Sequence, residues 1–352
     1  PPPPPPPPPP PRFFFNEYPA FRDSVASRGL GDVYKRQYIT YKNEYIESIW
    51  WSLKTLYEKG LLYKGYTIQP FSPAAGTGLS SHELNMPGAY KNIKDTSIVA
   101  QFKLLKNKSS INLFKNINTE IYLLAWTTTP WTLPANQAVA LHRDNEYVIV
   151  QVKNEALIMS SELHEVVLAR YGYKDYEILS KFSGSELEGL SLKHPFYDRS
   201  VPIVMGDHVT FETGTGAVHI APGHGQDDYV VGQKYDLSVD NPVADNGCFV
   251  ADTEIFSGQH VFKANSSIIS ILEDKNNLLK QETIEHSYPH CWRHKTPIIF
   301  RATPQWFISM ENNKLREQAL HAINQVNWEP SWGCLLYTSD AADEGLGVDL
   351  GG

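Results

Sequence analysis

Two segments of this 352-residue sequence carry side chains whose types and spacing could do chemistry on a polar ligand. The first is Trp126-Thr127-Thr128-Thr129-Pro130-Trp131-Thr132-Leu133-Pro134-Ala135-Asn136, directly after a run of apolar residues. Its two prolines deny a strand its continuation, and three successive hydroxyls alternate in direction while backbone donors stay outside a ladder. Such a loop can hold a polar ligand, or it can be a threonine-rich turn capping a sheet edge; the residues alone leave both open.

The second segment runs Gly214-Thr215-Gly216-Ala217-Val218-His219-Ile220-Ala221-Pro222-Gly223-His224-Gly225-Gln226-Asp227-Asp228-Tyr229. Its glycines let the backbone approach a ligand closely. Asp227 and Asp228 stand at the start of a predicted helix, where exposed N–H groups favour carboxylates, so one of them serves equally well as a cap. His219, His224, Asp227 and Asp228 are also types that ligate zinc or a harder cation. Their spacing matches no helical His-x-x-x-His arrangement, and no metal is expected. A third stretch, Pro289-His290-Cys291-Trp292-Arg293-His294-Lys295-Thr296-Pro297, sets Cys291 and His294 at the separation of half a zinc knuckle. Residues 71–76 are the tempting place for the other half and offer no ligand, so a structural turn is expected there. The sequence contains no Gly-x-Ser-x-Gly elbow, no catalytic cysteine with a plausible base and no phosphate loop.

The elements that must position these segments follow from periodicity. Residues 41–59 carry Tyr45, Ile49, Leu53 and Leu56 at helical spacing, with Gly60 where a C-cap glycine belongs, and the aromatic-rich stripe reads as core packing. A short strand over 66–70 and an irregular stretch over 71–84 come next. From Thr96 the signal turns to short β-type runs at 98–102, 121–126, 138–141, 147–152, 156–159, 201–205 and 218–221. Helical pattern falls at 161–171, 227–235, 266–279 and 312–326, and 288–310 reads as mixed structure. The result is an α/β chain with a mostly β domain, free of internal repeats.

The two ends read differently. Eleven prolines open the chain, and residues 32–37, Asp-Val-Tyr-Lys-Arg-Gln, can be translated from GATGTGTATAAGAGACAG. The reverse complement of that DNA, shifted one base, gives Cys-Leu-Leu-Tyr-Thr-Ser, which is residues 334–339. Residues 1–37 and 334–352 are therefore expected to be adaptor read-through. Between them lie 26 Lys and Arg against 32 Asp and Glu, a net −6, beside −8 for the whole chain. That balance argues against a general polyanion-binding surface. Three cysteines fit a reducing compartment better than a disulfide scaffold, and no apolar run nears the roughly 18 residues of a membrane span.

Three phrases, TTTPWTLPAN at 127–136, GTGAVHIAPGHGQDDY at 214–229 and FRATPQWFISM at 300–310, resemble the isoleucyl branch of the class I aminoacyl-tRNA synthetases. The resemblance implies a Rossmann-type catalytic domain present only as edge segments, 38–95 leading out and 286–333 leading back. Residues 96–285 would form the inserted, mostly β editing domain, which removes valine wrongly attached to isoleucine tRNA. The adenylate-forming motifs His-Ile-Gly-His and Lys-Met-Ser-Lys-Ser are absent from the sequence. ATP and magnesium are thus expected only for the full-length enzyme, which would attach isoleucine to its tRNA. Some members bind zinc through two Cys-x-x-Cys pairs at positions matching Ser72, Ala75, Cys291 and His294; with three thiolates missing, no zinc is expected.

The same resemblance assigns roles. Isoleucine and valine differ by one methylene, which a hydrophobic pocket reads at only about 1–3 kcal/mol; this enzyme family is itself the standard example of that limit. A second pocket that rejects isoleucine by bulk supplies the rest, with His219 as its wall. Asp228, with Asp227 the second choice, would anchor the α-ammonium. Thr127, Thr128, Thr129 and Thr132 would form a polar wall holding a water, with Asn136 orienting it and Trp126 near the terminal adenosine. The expected partners are the 3′ end of isoleucine tRNA and valine, with no membrane, a monomeric chain and a cytoplasmic location. The competing readings are a non-catalytic tRNA-binding insertion and a metal-dependent hydrolase using His219 and Asp228.

Overall fold

β-Branched and aliphatic runs bounded by turn residues leave little choice but a sheet. In the computed structural model, which describes residues 40–327 except 112 and 114–116, they form thirteen strands. These are β1 (Leu62–Ser72), β2 (Thr77–Gly78), β3 (Tyr90–Leu104), β4 (Glu120–Thr127), β5 (Ala138–Leu141), β6 (Glu146–Val152), β7 (Glu155–Ser160), β8 (Glu177–Ser183), β9 (Ser191–Lys193), β10 (Ser200–Met205), β11 (Ala217–Ile220), β12 (Leu278–Pro289) and β13 (Ile299–Ile308). The read-through assignments at 1–37 and 334–352 lie outside the described residues.

The chain divides into two compact units. The described part of one is residues 40–66 and 304–327; the other is 67–303, extending on both sides of the 96–285 stretch. In the larger unit a mixed sheet runs β11-β5-β10-β9-β3-β4-β7-β6-β8, with β12 paired to β3. β10 lies parallel to β5 and β4 parallel to β7, and the other pairs are antiparallel. The turn before β11 returns across the sheet: Thr215 Oγ1 donates to Leu124 O at 2.6 Å and Tyr147 Oη to Gly216 O at 2.7 Å. One face of the sheet buries the main core, including Phe102, Leu123, Leu133, Tyr147 and Phe256, beneath the helix Val261–Asp274. A second cluster on the other face packs the helix His164–Arg170, and a third packs Ile220 and Ala138 against Val231 of the helix Gln226–Lys234.

Two expectations need correction. The helix at 41–59 is present as Asn43–Glu58, yet none of its residues is buried, and Trp50 is 67% exposed. Helical periodicity records that a face is apolar, not that anything covers it. The helix expected at 266–279 is Val261–Asp274, because Asn276 turns to φ 54° and the chain enters β12. The stretch 288–310 is mixed, as expected: the end of β12, a turn-containing region over 290–298 and then β13. β12 forms a long antiparallel ribbon with β3, from Leu278 opposite Ala100 to Pro289 opposite Tyr90.

Candidate functional site

β4 delivers the threonine loop. Side chains alternate along a strand, so Thr127 shares the main-core face with Leu123 and Ala125, while Trp126 projects oppositely. Trp126 packs there against Gly214, where a Cβ would meet its ring at 3.3 Å. Pro130, lacking an N–H, starts a 3₁₀ helix, Pro130–Ala135, that is buried throughout. The first free amide of that helix, Trp131 N, donates to Asn265 Oδ1 at 3.0 Å.

The hydroxyls form a chain. Thr127 Oγ1 lies 3.3 Å from Thr129 Oγ1 and accepts from Thr129 N at 3.1 Å; Thr129 Oγ1 lies 3.5 Å from Thr132 Oγ1. Thr132 Oγ1 donates to Thr129 O at 2.8 Å and sits 2.9 Å from His219 Nε2. A hydroxyl has one proton. With Thr132's proton on Thr129 O, His219 Nε2–H must be the donor and its Nδ1 a bare lone pair. That Nδ1 is buried and has no partner among the described residues, as are Trp131 Nε1, Asn136 Oδ1 and His224 Nε2. Buried polar atoms in folded proteins are ordinarily partnered, so this group retains capacity for a ligand. Thr128 is half-buried and stands outside the hydroxyl chain.

The end of β11 ties the second segment to the first. His219 reaches Thr132 by its side chain; Ile220 O accepts from Gln137 N at 2.8 Å and from Asn136 Nδ2 at 3.4 Å; Ala221 N donates to Asp228 Oδ2 at 2.8 Å. Asp228 folds back over Gly225, where a Cβ would lie 2.9 Å from the Asp228 carboxyl carbon, so a side chain at that position would displace the carboxyl. Its neighbour Asp227 diverges: it is exposed and lines a separate small cavity with His208 and Lys234.

Electrostatics set the protonation of the group. Burial raises the Asp228 carboxyl to about 7, against the Ala221 amide that lowers it, and Asp227 adds to the rise. Burial brings His219 down to about 4, with His224 contributing, so the imidazole is neutral near pH 7. His224 likewise falls to about 4; its Nδ1–H donates to Phe300 O at 2.9 Å and its ring meets Trp131 edge-on at 5.1 Å.

Several supporting residues escaped the sequence reading. Asn265 holds the start of the 3₁₀ helix, His194 Nε2 donates to Leu133 O at 3.0 Å, and Arg199 binds the carbonyls at its end. These contacts join residues 61 to 134 apart, and no local pattern marks them.

The Cys291 turn does meet the Ser72 loop. Cys291 Sγ lies 3.8 Å from His294 Nδ1. Burial pushes the thiol up, but the main chain at His294 and Arg293 and the Ser72 hydroxyl bring it to about 7. Ala75 contributes no donor, so the side chains do not fit a four-coordinate zinc. Among the described residues no group of three His, Cys, Asp or Glu converges.

The sequence matches the family described as tRNA synthetases class I (I, L, M and V) over residues 15–344. It is 47% identical over 314 residues to an isoleucine–tRNA ligase of Nitrosococcus oceani, covering 86% of this chain and 33% of that protein. It is 60% identical over 208 residues to the isoleucine–tRNA ligase of Alkalilimnicola ehrlichii, covering 59% and 22%. The chain thus spans about a third of the length of these curated relatives. Among solved structures, the editing domain of P. knowlesi cytosolic leucyl-tRNA synthetase is similar at 14% identity and a TM-score of 0.43, over 55% of this chain and 98% of that one.

Proposed function

The chain belongs to the class I tRNA synthetases of the I, L, M and V group, and from that premise we propose that it carries the editing activity of an isoleucine–tRNA ligase, hydrolysis of valine from mischarged isoleucine tRNA. The observation that carries this reading is the 2.9 Å contact of Thr132 with His219, which joins the two motifs into one cluster two residues from the Asp228 anchor on Ala221.

Each group has a task in that reaction. An aminoacyl ester brings an α-ammonium, and the half-buried Asp228 carboxylate holds it by a charge-assisted hydrogen bond. A neutral His219 does not repel that ammonium, and its ring, fixed by Thr132, is the rigid wall against the longer isoleucine side chain. The ester is already activated, so no serine or cysteine nucleophile is needed. A water positioned by Thr127, Thr128 and Thr129 attacks the carbonyl, the acyl C–O bond to the terminal ribose breaks, and a proton from the water passes to the departing ribose oxygen, leaving free valine and the tRNA hydroxyl. Asn136 fixes the strand end that bears His219. Trp126 and Asp227 stand apart from the cluster and carry no step. In this reading 96–285 is the inserted domain and the flanks lead to the synthetic domain of the whole enzyme, where ATP and magnesium would act. The protein would be monomeric and cytoplasmic and bind no zinc; no described helix is long and apolar enough to cross a membrane.

Release of free valine from valyl-tRNA(Ile) by the full chain tests the reading. The parent should turn over, and Asp228→Ala should lose about a hundredfold in rate with its folded spectrum kept. Binding without valine release by the parent, or an Asp228→Ala variant as fast as the parent, overturns it.

A further inference from the structure

The carbonyl groups at the end of the 3₁₀ helix have no intrahelical donors, and a charged side chain from elsewhere takes them. Arg199 Nη2 donates to Pro134 O at 3.0 Å and to Asn136 O at 2.7 Å. No salt bridge to Arg199 occurs among the described residues; its Nη2 is committed to the two main-chain carbonyls, and its Nε is buried without a partner among them. It lies 5.3 Å from the Tyr197 ring, in the turn that also supplies His194 to Leu133 O. The turn is closed by His194 N on Arg199 O at 3.0 Å.

What Arg199 fixes is the frame of Asn136. From there Asn136 Nδ2 donates to Ala138 O at 2.7 Å and reaches Ile220 O, and Gln137 N donates to that same carbonyl. Ile220 is flanked by His219, the proposed wall, and Ala221, which holds Asp228. One guanidinium therefore links the threonine side of the cluster to the strand end that bears its other half. Both bonds leave one nitrogen, Nη2, at the far end of the guanidinium, and a lysine ammonium on its shorter side chain does not reach that position.

We infer that Arg199 is a positioning residue for aminoacyl-ester hydrolysis and for its discrimination between valine and isoleucine, a role that rests on the editing reading above. It touches no substrate. It sets the spacing between the threonine wall and His219, and a misplacement of the order of 1 Å there costs about a hundredfold in rate. The spacing also sets how much side chain fits, so loosening it admits the longer one.

The full chain, its Arg199→Ala variant and its Arg199→Lys variant are compared on valyl-tRNA(Ile) and isoleucyl-tRNA(Ile). Arg199→Ala should lower kcat on the valyl ester about a hundredfold with KM little changed, and the ratio of valyl to isoleucyl hydrolysis should fall. Millimolar guanidinium should restore part of that kcat in Arg199→Ala and none in the parent, because a cavity of about 540 Å³ lined by Arg199, Pro134 and Tyr197 gives it a place to enter. Arg199→Lys, which keeps the charge and the stem, should show the lowered ratio even if Arg199→Ala does not fold. A ratio equal to the parent's in the folded variants, or parallel losses on both esters without guanidinium rescue, overturns the inference. A parent that releases neither amino acid overturns the editing reading instead.

Discussion

Asp228 sits where two effects compete. The first turn of the helix Gln226–Lys234 offers free N–H groups that favour a carboxylate, yet burial wins and brings the group to about 7. Near neutrality the free enzyme therefore holds this carboxyl partly protonated, and an arriving ammonium restores the ionised form. The value of kcat/KM for valyl-tRNA, corrected for uncatalysed hydrolysis, should rise as one proton leaves through about pH 7, and Asp228→Asn should remove that inflection. An inflection that persists in Asp228→Asn would assign the titration elsewhere. The stability sign is the reverse of the usual carboxylate case. A raised carboxyl favours the folded state below the ordinary aspartate value of 3.8, and that contribution is lost as pH rises through about 7. The sequence located Asp228, His219 and the threonines because each belongs to a short dense motif. It could not locate Arg199 or Asn265, isolated polar residues whose partners lie more than sixty positions away.

The elements that carry these residues depend on one return of the chain. Gly216, at φ 77°, brings β11 back over the sheet, and a Cβ there would lie 2.4 Å from Ser160 Cβ. Ser160 cannot yield, since its amide donates to Thr215 O at 2.9 Å within the same crossing. Gly216→Ala should therefore destabilise the fold by about 1–3 kcal/mol or more, whereas Gly214→Ala, at φ 82° with its nearest neighbour at 3.3 Å, should cost less. Urea unfolding of the two variants decides it, and equal midpoints would show that the crossing tolerates the methyl group. Strands with strong apolar runs, β4 to β7, β10 and β11, were legible from periodicity. β12 was not: its side chains are exposed or half-buried throughout, so no apolar run announces it, and pairing with β3 supplies what local preference lacks. The hydroxyl chain was half legible. Three adjacent threonines advertise a polar loop, but the 3₁₀ geometry that turns Thr132 toward His219 comes from Pro130 and from Asn265 on a distant helix.

Over the whole molecule, the buried histidines decide how the protein meets acid. His194, His219 and His224 are lowered to about 3, 4 and 4, each chiefly by burial, and His208 and His260 shift the same way. An unfolded histidine takes up its proton near pH 6.5, while these three stay neutral in the fold until well below pH 5. Their contribution is thus fully present above pH 6.5 and is lost as pH falls toward their folded values. Asp228 opposes them, because the folded state already holds its proton below about 7. Three protons favouring the unfolded chain against one favouring the fold leave a net of about two near pH 5. Each proton is worth about 1.4 kcal/mol per pH unit, so stability should fall by about 3 kcal/mol per unit there. Carboxylates held low by partners, such as Glu188 beside Tyr235 and Arg143, add to acid lability only below their ordinary 4.5, outside this window. Urea midpoints measured from pH 7.5 to 5.0 should drop with increasing slope, and proton uptake on unfolding at pH 5 should approach two. A midpoint flat across that range would mean that these histidines titrate in the fold much as they do in the unfolded chain. In that event His219 would gain charge as the pH falls through about 6.5 and come to repel the substrate ammonium, contrary to the neutral wall that the Thr132 contact builds.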